Sequence, residues 1–433
     1  MRISVSILTL LALTAPGFAA EAISYKGTLN GTPILVELTD PAGGPVAGRY
    51  SYVEHGVDIP LEAAEGAAGQ IVLTEEAPCA PGLCPVDDDY NVTAWPVAAT
   101  WTLSIAVDGS LTGSWQAQGK SKTLAIDLQK VGQRTLPDAT DPTPYGLHDS
   151  AYALTFSRGA VFSAETAPYD FLKLDVPLQE GPVETLQGSH FRYVTDPRTK
   201  FAFPRILDLS DGGDITAANE ELAAEHAGIS LGAFDCLSQI YSGFGGRDDM
   251  LEMGIGTLAG YDDETVIMTY LSPTLTTWTE SGSTFCAGAY PNNHSNVFMI
   301  DTGTGEPLAL ARVFKDWIAV TNTTDYAAPI DQAAALAAPQ DYIWQAGQTL
   351  IDYVIANKTS EDAASDDDCG INDLIASNLG VRFLPGDTVV FDLEGLPHAI
   401  LACGEDLLTV KLADIPELLA PTAAEVFPSL AKK

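Results

Sequence analysis

Positive charge is scarce in this 433-residue chain, which has 21 Lys and Arg against 58 Asp and Glu, a formal charge of −37. A field of that sign repels phosphate backbones and anionic lipid and attracts cations, so nucleic acid is not an expected ligand. Long hydrophobic runs are missing too. No stretch reaches the ~20 apolar residues that a membrane-spanning helix needs, so no span is expected. Catalytic signatures are equally sparse: G-x-x-x-x-G-K-[ST], H-E-x-x-H and C-x-x-C do not occur. The histidines His55, His148, His190, His226, His294 and His398 are isolated from one another. The expectation is therefore a protein with no catalytic, cofactor-binding or metal-binding residues that a local motif would reveal.

What is present at the N-terminus reads as a signal peptide over residues 1–20. Arg2 supplies the positive end, Val5 to Leu13 the apolar region, and Phe18-Ala19-Ala20-Glu21-Ala22 the small-residue cleavage zone. No cysteine sits there to take a lipid anchor. The expected product is soluble and periplasmic or secreted.

Six cysteines suit an oxidising compartment: Cys79, Cys84, Cys236, Cys286, Cys369 and Cys403. Cys79 and Cys84 are close enough to close a small loop. Cys236–Cys286 and Cys369–Cys403 are the expected partners among the rest, since each pair lies within its own stretch.

The fold class expected is α+β, an N-terminal all-β meander followed by an α+β domain. Over residues 21–131, short alternating runs are punctuated by turn residues. Asn30-Gly31 between two such runs is a hairpin signal, and about eight strands in a closing, barrel-like meander are expected. Residues 132–146, with three prolines, read as a linker. Residues 147–433 read as the α+β recognition domain. Strands are expected at Ala151–Phe156, Phe191–Val194, Val266–Leu271, Val297–Ile300, Val381–Leu384, Thr388–Leu393 and Ala399–Cys403. Helices are expected from Ile215 to His226, from Ile229 to Tyr241 and from about Gln340 to Asn357.

Three strings invite a chemical reading. Gly228-Ile229-Ser230-Leu231-Gly232 matches a nucleophile elbow, but a helical pattern precedes it where the elbow needs a strand, so a boundary between two helices is expected. Asp208, Asp211 and Asp214 are expected to cap the helix that follows rather than hold metal. His398 lies near Cys403, yet a thiolate nucleophile needs a free thiol, and pairing with Cys369 is favoured.

Tyr270-Leu271-Ser272-Pro273-Thr274 leads to Cys286-Ala287-Gly288-Ala289-Tyr290-Pro291-Asn292 and then to Met299-Ile300-Asp301-Thr302-Gly303. Together with Phe203-Pro204-Arg205-Ile206 and Asn219, roughly residues 195–420 resemble a domain of unknown function. That domain is shared by the lysozyme-responsive anti-sigma receptor and a peptidoglycan deacetylase. Tyr290 stands where that family usually has His, and Ala287 replaces a Gly. The deacetylase's metal-binding domain is missing, so its activity is not implied. The resemblance implies an envelope recognition domain with lysozyme as a ligand. Gly288, Tyr290, Pro291, Asp301 and Gly303 form its turn and are read as structural: Gly288 permits positive φ and Pro291 stiffens the exit.

The function expected is thus an exported binding protein that recognises a basic protein, such as a lysozyme-type muramidase, or a cell-wall component. Two other readings stand beside it. Dispersed carboxylates would make a cell-wall hydrolase, recognisable by a cleft with close carboxylates of shifted pKa. An apolar cavity inside the β domain would make a small-ligand carrier.

Overall fold

The computed structural model describes residues 20–40, 46–79, 84–87, 92–137, 140–156, 162–244, 264–284, 292–359 and 369–432. The chain opens with eight strands: β1 (Glu21–Leu29), β2 (Thr32–Thr39), β3 (Gly48–Tyr52), β4 (Ile59–Ala63), β5 (Ile71–Glu76), β6 (Val97–Ile105), β7 (Leu111–Ala117) and β8 (Thr123–Thr135). Each pairs antiparallel with the next, and β8 returns to β1, closing a barrel with no free edge. Asn30 and Gly31 turn β1 into β2 with φ of 50° and 88°, the left-handed pair that a two-residue hairpin requires.

Alternation along the strands sends Tyr25, Ile34, Val36, Leu38, Tyr50, Leu61, Leu73, Trp101, Leu103 and Leu128 into one buried cluster. The barrel centre is therefore filled by side chains. Glu75 is buried there, and its Oε2 accepts from Trp101 Nε1 at 2.9 Å and Trp115 Nε1 at 2.7 Å. These contacts do not favour the small-ligand carrier.

The barrel ends at Thr135, beyond the expected boundary at 131, and the linker expected over 132–146 is not a free spacer. Leu136 is buried against Ala22 and Leu147, and its N–H bonds to Ala20 O at 2.8 Å. Helix α1 (Pro144–Phe156) follows directly, so the strand expected over Ala151–Phe156 is helical. Helix α2 (Pro168–Leu174) comes next. Both pack against barrel strands, so the α+β portion does not begin cleanly at 147.

The second half has β9 (Gln179–Leu186), β10 (Ser189–Thr195) and β11 (Ala202–Asp208) in one antiparallel sheet. Helix α3 (Thr216–Ser238) precedes β12 (Thr265–Leu271), β13 (Thr276–Thr284) and β14 (Asn292–Ile300), a second antiparallel sheet. A two-stranded pair, β15 (Trp317–Asn322) with β16 (Tyr342–Ala346), flanks helix α4 (Gln332–Ala337), and helices α5 (Gln348–Asn357) and α6 (Ile371–Asn378) follow. The last sheet is β17 (Leu379–Leu384), β18 (Thr388–Leu393) and β19 (Asp406–Lys411).

Two cores result. Phe191, Phe203, Ile206, Leu222, Trp278 and Ile300 join the first two sheets to the N-terminal half of α3. Phe314, Leu350, Val354, Ile375, Phe383, Phe391 and Phe427 build the other beneath the last sheet.

Three further expectations are corrected. The two helices expected around Gly228 are one continuous helix, α3. The helix expected from Gln340 to Asn357 is β16 and then α5, because Asp316 captures Gly347: its O accepts the Gly347 N–H at 2.6 Å and its Oδ2 the Thr349 N–H at 2.7 Å. Ala399–Cys403, expected as strand, lies in a 3₁₀ segment over His398–Cys403. The expected pairs Cys79–Cys84 and Cys369–Cys403 are both bonded. Cys236 is also disulfide-bonded, and Cys286 lies outside the described residues.

Candidate binding cavity

Helix α3 bridges the halves of the molecule. Its C-terminal half faces the barrel: Asp58 N–H donates to Ser238 Oγ at 2.9 Å, and Asp235 Oδ1 meets His148 Nε2 at 2.5 Å. Around that contact lies a buried ionic layer between the outer barrel wall and the helices. Arg49 of β3 reaches Glu37, Asp58 and Asp170, while Arg134 of β8 reaches Glu37. Asp58 also accepts from Tyr169 Oη and Lys173 Nζ, each at 2.7 Å. With His148 protonated, four cationic groups face Glu37, Asp58, Asp170 and Asp235. A buried charge persists only when paired, and here the pairing joins barrel to helices.

The other end of α3 forms a different environment. Ala224, Gly228 and Gly232 stand one turn apart and make a shallow strip along the helix. A Cβ built at Gly228 would meet nothing within 4 Å, so the glycine keeps space open. Glycine inside a helix costs about 1 kcal/mol relative to alanine, a penalty that packing at both ends of α3 offsets.

Opposite this strip is one face of the second sheet. Cross-strand register aligns Trp278 with Phe298, Glu280 with Asn296 and Gly282 with His294. Gly282 carries no side chain, so Glu264, at the start of β12, reaches across to His294 at 3.0 Å. Between helix and sheet lies a cavity of about 510 Å³. Tyr152 of α1, Glu221 and Glu225 of α3, and Glu264, Glu280, Thr284, Asn292, His294, Asn296 and Phe298 line it.

The electrostatics of this cavity are one-sided. Burial pushes the Glu280 carboxyl up to about 7, and the negative charge of Glu225 and Glu264 adds to that, against the 2.8 Å hydrogen bond from Trp278 Nε1. Burial raises Glu225, with Glu221 adding, and burial raises Glu221, with Glu306 adding. The hydrogen bond to Glu264 raises the pKa of His294 despite partial burial. Among the described residues, the one basic side chain lining the cavity is thus already committed to a carboxylate.

Comparison with protein-family models, curated proteins and solved structures returned no match.

Few of the residues singled out from sequence meet here. Gly288, Tyr290 and Pro291 lie outside the described residues. Asp301 and Gly303 form the turn after β14, where Asp301 Oδ1 accepts the Gly303 N–H at 3.1 Å and Oδ2 accepts from Arg312 at 3.2 Å. The G-x-S-x-G string supplies Gly228, Ile229 and Gly232 to the cavity lining, while Ser230 is buried in α3. Asp211 and Asp214 bond the loop and the first residue of α3 through the N–H groups of Gly213 and Thr216. Asp208 pairs instead with His190. His226 stacks on Phe203 at 5.3 Å, and burial pushes it down to about 4. Cys403 is cross-linked to Cys369 and is no nucleophile. No local motif marks the cavity glutamates in the sequence. The signal lay in Glu221 and Glu225, a like-charged i,i+4 pair that an isolated helix disfavours.

Proposed function

We propose that this is an exported binding protein whose acidic cavity between α3 and the second sheet takes a cationic group of a partner protein. One observation carries the reading: Glu221, Glu225, Glu264 and Glu280 converge on one cavity where, among the described residues, the only basic side chain is already paired. Crowded carboxylates resist ionisation, and an incoming ammonium or guanidinium relieves that cost while supplying hydrogen bonds. The formal charge of −37 adds long-range attraction for a basic partner. The leader-like residues 1–20 and the disulfides Cys79–Cys84 and Cys369–Cys403 support a periplasmic or secreted setting. A basic muramidase of the lysozyme type fits that setting, as does a basic cell-wall component.

Calorimetric titration with a basic lysozyme at low and moderate salt tests the reading. Binding that weakens with salt and is lost in Glu225→Gln/Glu280→Gln is expected. Absence of binding at low salt, or indifference to the double substitution, refutes it.

A second reading has a specific observation behind it. Glu280 holds its proton near neutrality within the influence of Glu225 and Glu264, an arrangement suited to a general acid beside a carboxylate base. Release of soluble fragments from peptidoglycan, abolished by Glu280→Gln, would favour hydrolysis over passive binding.

A further inference from the structure

Strand β14 is the last strand of its sheet. It pairs with β13 from Asn292 to Ile300. Among the described residues, its outward backbone groups are hydrogen-bonded only near Ile300, where Leu308 N–H donates to Met299 O at 2.9 Å, while the His398–Cys403 segment also packs near the strand. In a strand, the amide and carbonyl of every second residue point to the same side. Ser295 and Val297 therefore continue the outward row that Met299 begins. Neither has a backbone partner on that side among the described residues.

A cavity of about 650 Å³ runs along this stretch of β14 and over the adjoining sheet face of Ile267, Thr269 and Thr279. Its opposite wall holds Asp392, Glu394 and Asp406. Asp392 Oδ1 and Glu394 Oε1 are buried acceptors with no hydrogen-bond partner among the described residues. Arg382, the cation of that wall, is already bound to Asp392 and Asp406. Two acceptors and a row of amides and carbonyls, all without partners among the described residues, call for a ligand that brings both a backbone and positive charge. A second copy of this chain is a poor occupant, because its own charge of −37 opposes the approach of one acidic wall to another.

We infer that an extended basic segment of a partner protein adds to β14 as a further strand, pairing with Ser295 and Val297 while alternate Lys or Arg side chains meet Asp392 and Glu394. The inference rests on the cationic-partner reading and adds the mode of capture. Glu394 also lines the space that contains Glu221 and Glu225, so both regions lie along one ligand path.

The probe is a synthetic peptide of alternating Lys and Val, with a second version N-methylated at alternate residues. Hydrogen exchange on the full chain should slow over residues 293–298 when the first peptide is added. Its affinity should fall about tenfold or more on N-methylation, on Asp392→Asn/Glu394→Gln and on Ser295→Pro. The outward Ser295 N–H takes no part in the β13 ladder, so an edge proline is tolerated there, and unchanged circular dichroism checks this. Unaltered exchange over 293–298 with equal affinity of both peptides overturns edge pairing. If lysozyme binding still requires Glu225 and Glu280 in that case, the cavity reading survives alone; if it too is absent, both fall.

Discussion

Arg49 of β3 and Asp170 of α2, 121 positions apart in sequence, meet as a two-point ion pair: Nη1 to Oδ1 at 3.0 Å and Nη2 to Oδ2 at 2.6 Å. Both side chains are almost wholly buried, and the Arg49 guanidinium lies over the Tyr169 ring at 4.4 Å. Removing one partner strands the other's charge away from water. Asp170→Ala should therefore lower unfolding stability by about 3–5 kcal/mol, read from urea denaturation of the full chain. An unchanged midpoint would show that α2 is not docked through this pair.

His148 gives that layer a pH dependence. Nδ1 contacts Asp58 at 2.9 Å and Nε2 contacts Asp235 at 2.5 Å, so both nitrogens must donate and the ring is an imidazolium. Burial acts to lower its pKa, but the bonds to Asp235 and Asp58 outweigh burial and nearby Arg49 and raise it above 6.5. Its contribution is complete below that value and lost as pH rises through the raised one. Asp58 behaves oppositely. Burial would raise it, yet Lys173, Arg49 and His148 hold it well below the usual range, so its contribution is lost as strong acid protonates it. His148→Gln should flatten the loss of stability as pH rises above about 6.5 and leave the acid limb in place. Parallel slopes for both proteins would count against this assignment.

The cavity acids push in the same direction over neutral pH. Glu280, raised to about 7, and Glu394, raised to about 8 chiefly by burial and then by Asp392, bind more protons folded than unfolded. Stability conferred by their protonation is present near pH 4.5 and lost as pH rises through those values. Glu280→Gln and Glu394→Gln should each raise stability at pH 8.5, by about 3–5 kcal/mol at most, with little change at pH 4. Thermal unfolding at the two pH values reads this directly, and destabilisation at pH 8.5 would contradict it.

Gly228 separates stability from binding. Gly228→Ala has free space for its methyl group and should stabilise α3 by about 1 kcal/mol while retaining the partner. Gly228→Phe projects into the cavity and should abolish binding in the same calorimetric assay without unfolding the chain. Full binding by the Phe variant would place the ligand elsewhere.

The barrel was the most legible part of the fold. Period-two alternation, the Asn30-Gly31 turn and spacings such as Cys79 to Cys84 are local signals, and each corresponds to an observed strand, hairpin or cross-link. Local preference fails where a distant residue overrides it. Gly228 reads as a helix stop, but α3 continues because Leu222 anchors one end in the second-half core and Phe234 and Ser238 anchor the other against the barrel side. Gly347 reads as part of a long apolar helical face, yet Asp316, remote in sequence, caps α5 there.

The sign of the field, the alternation that closes the barrel and the cysteines near enough to bond can all be read from the residues in order. These depend on composition and on neighbours a few residues apart. That Glu221, Glu225, Glu264 and Glu280 share one cavity, and that Arg49 meets Asp170, emerges only from packing. A carboxylate's chemistry depends on burial and on nearby charge, and both are set by how distant segments pack.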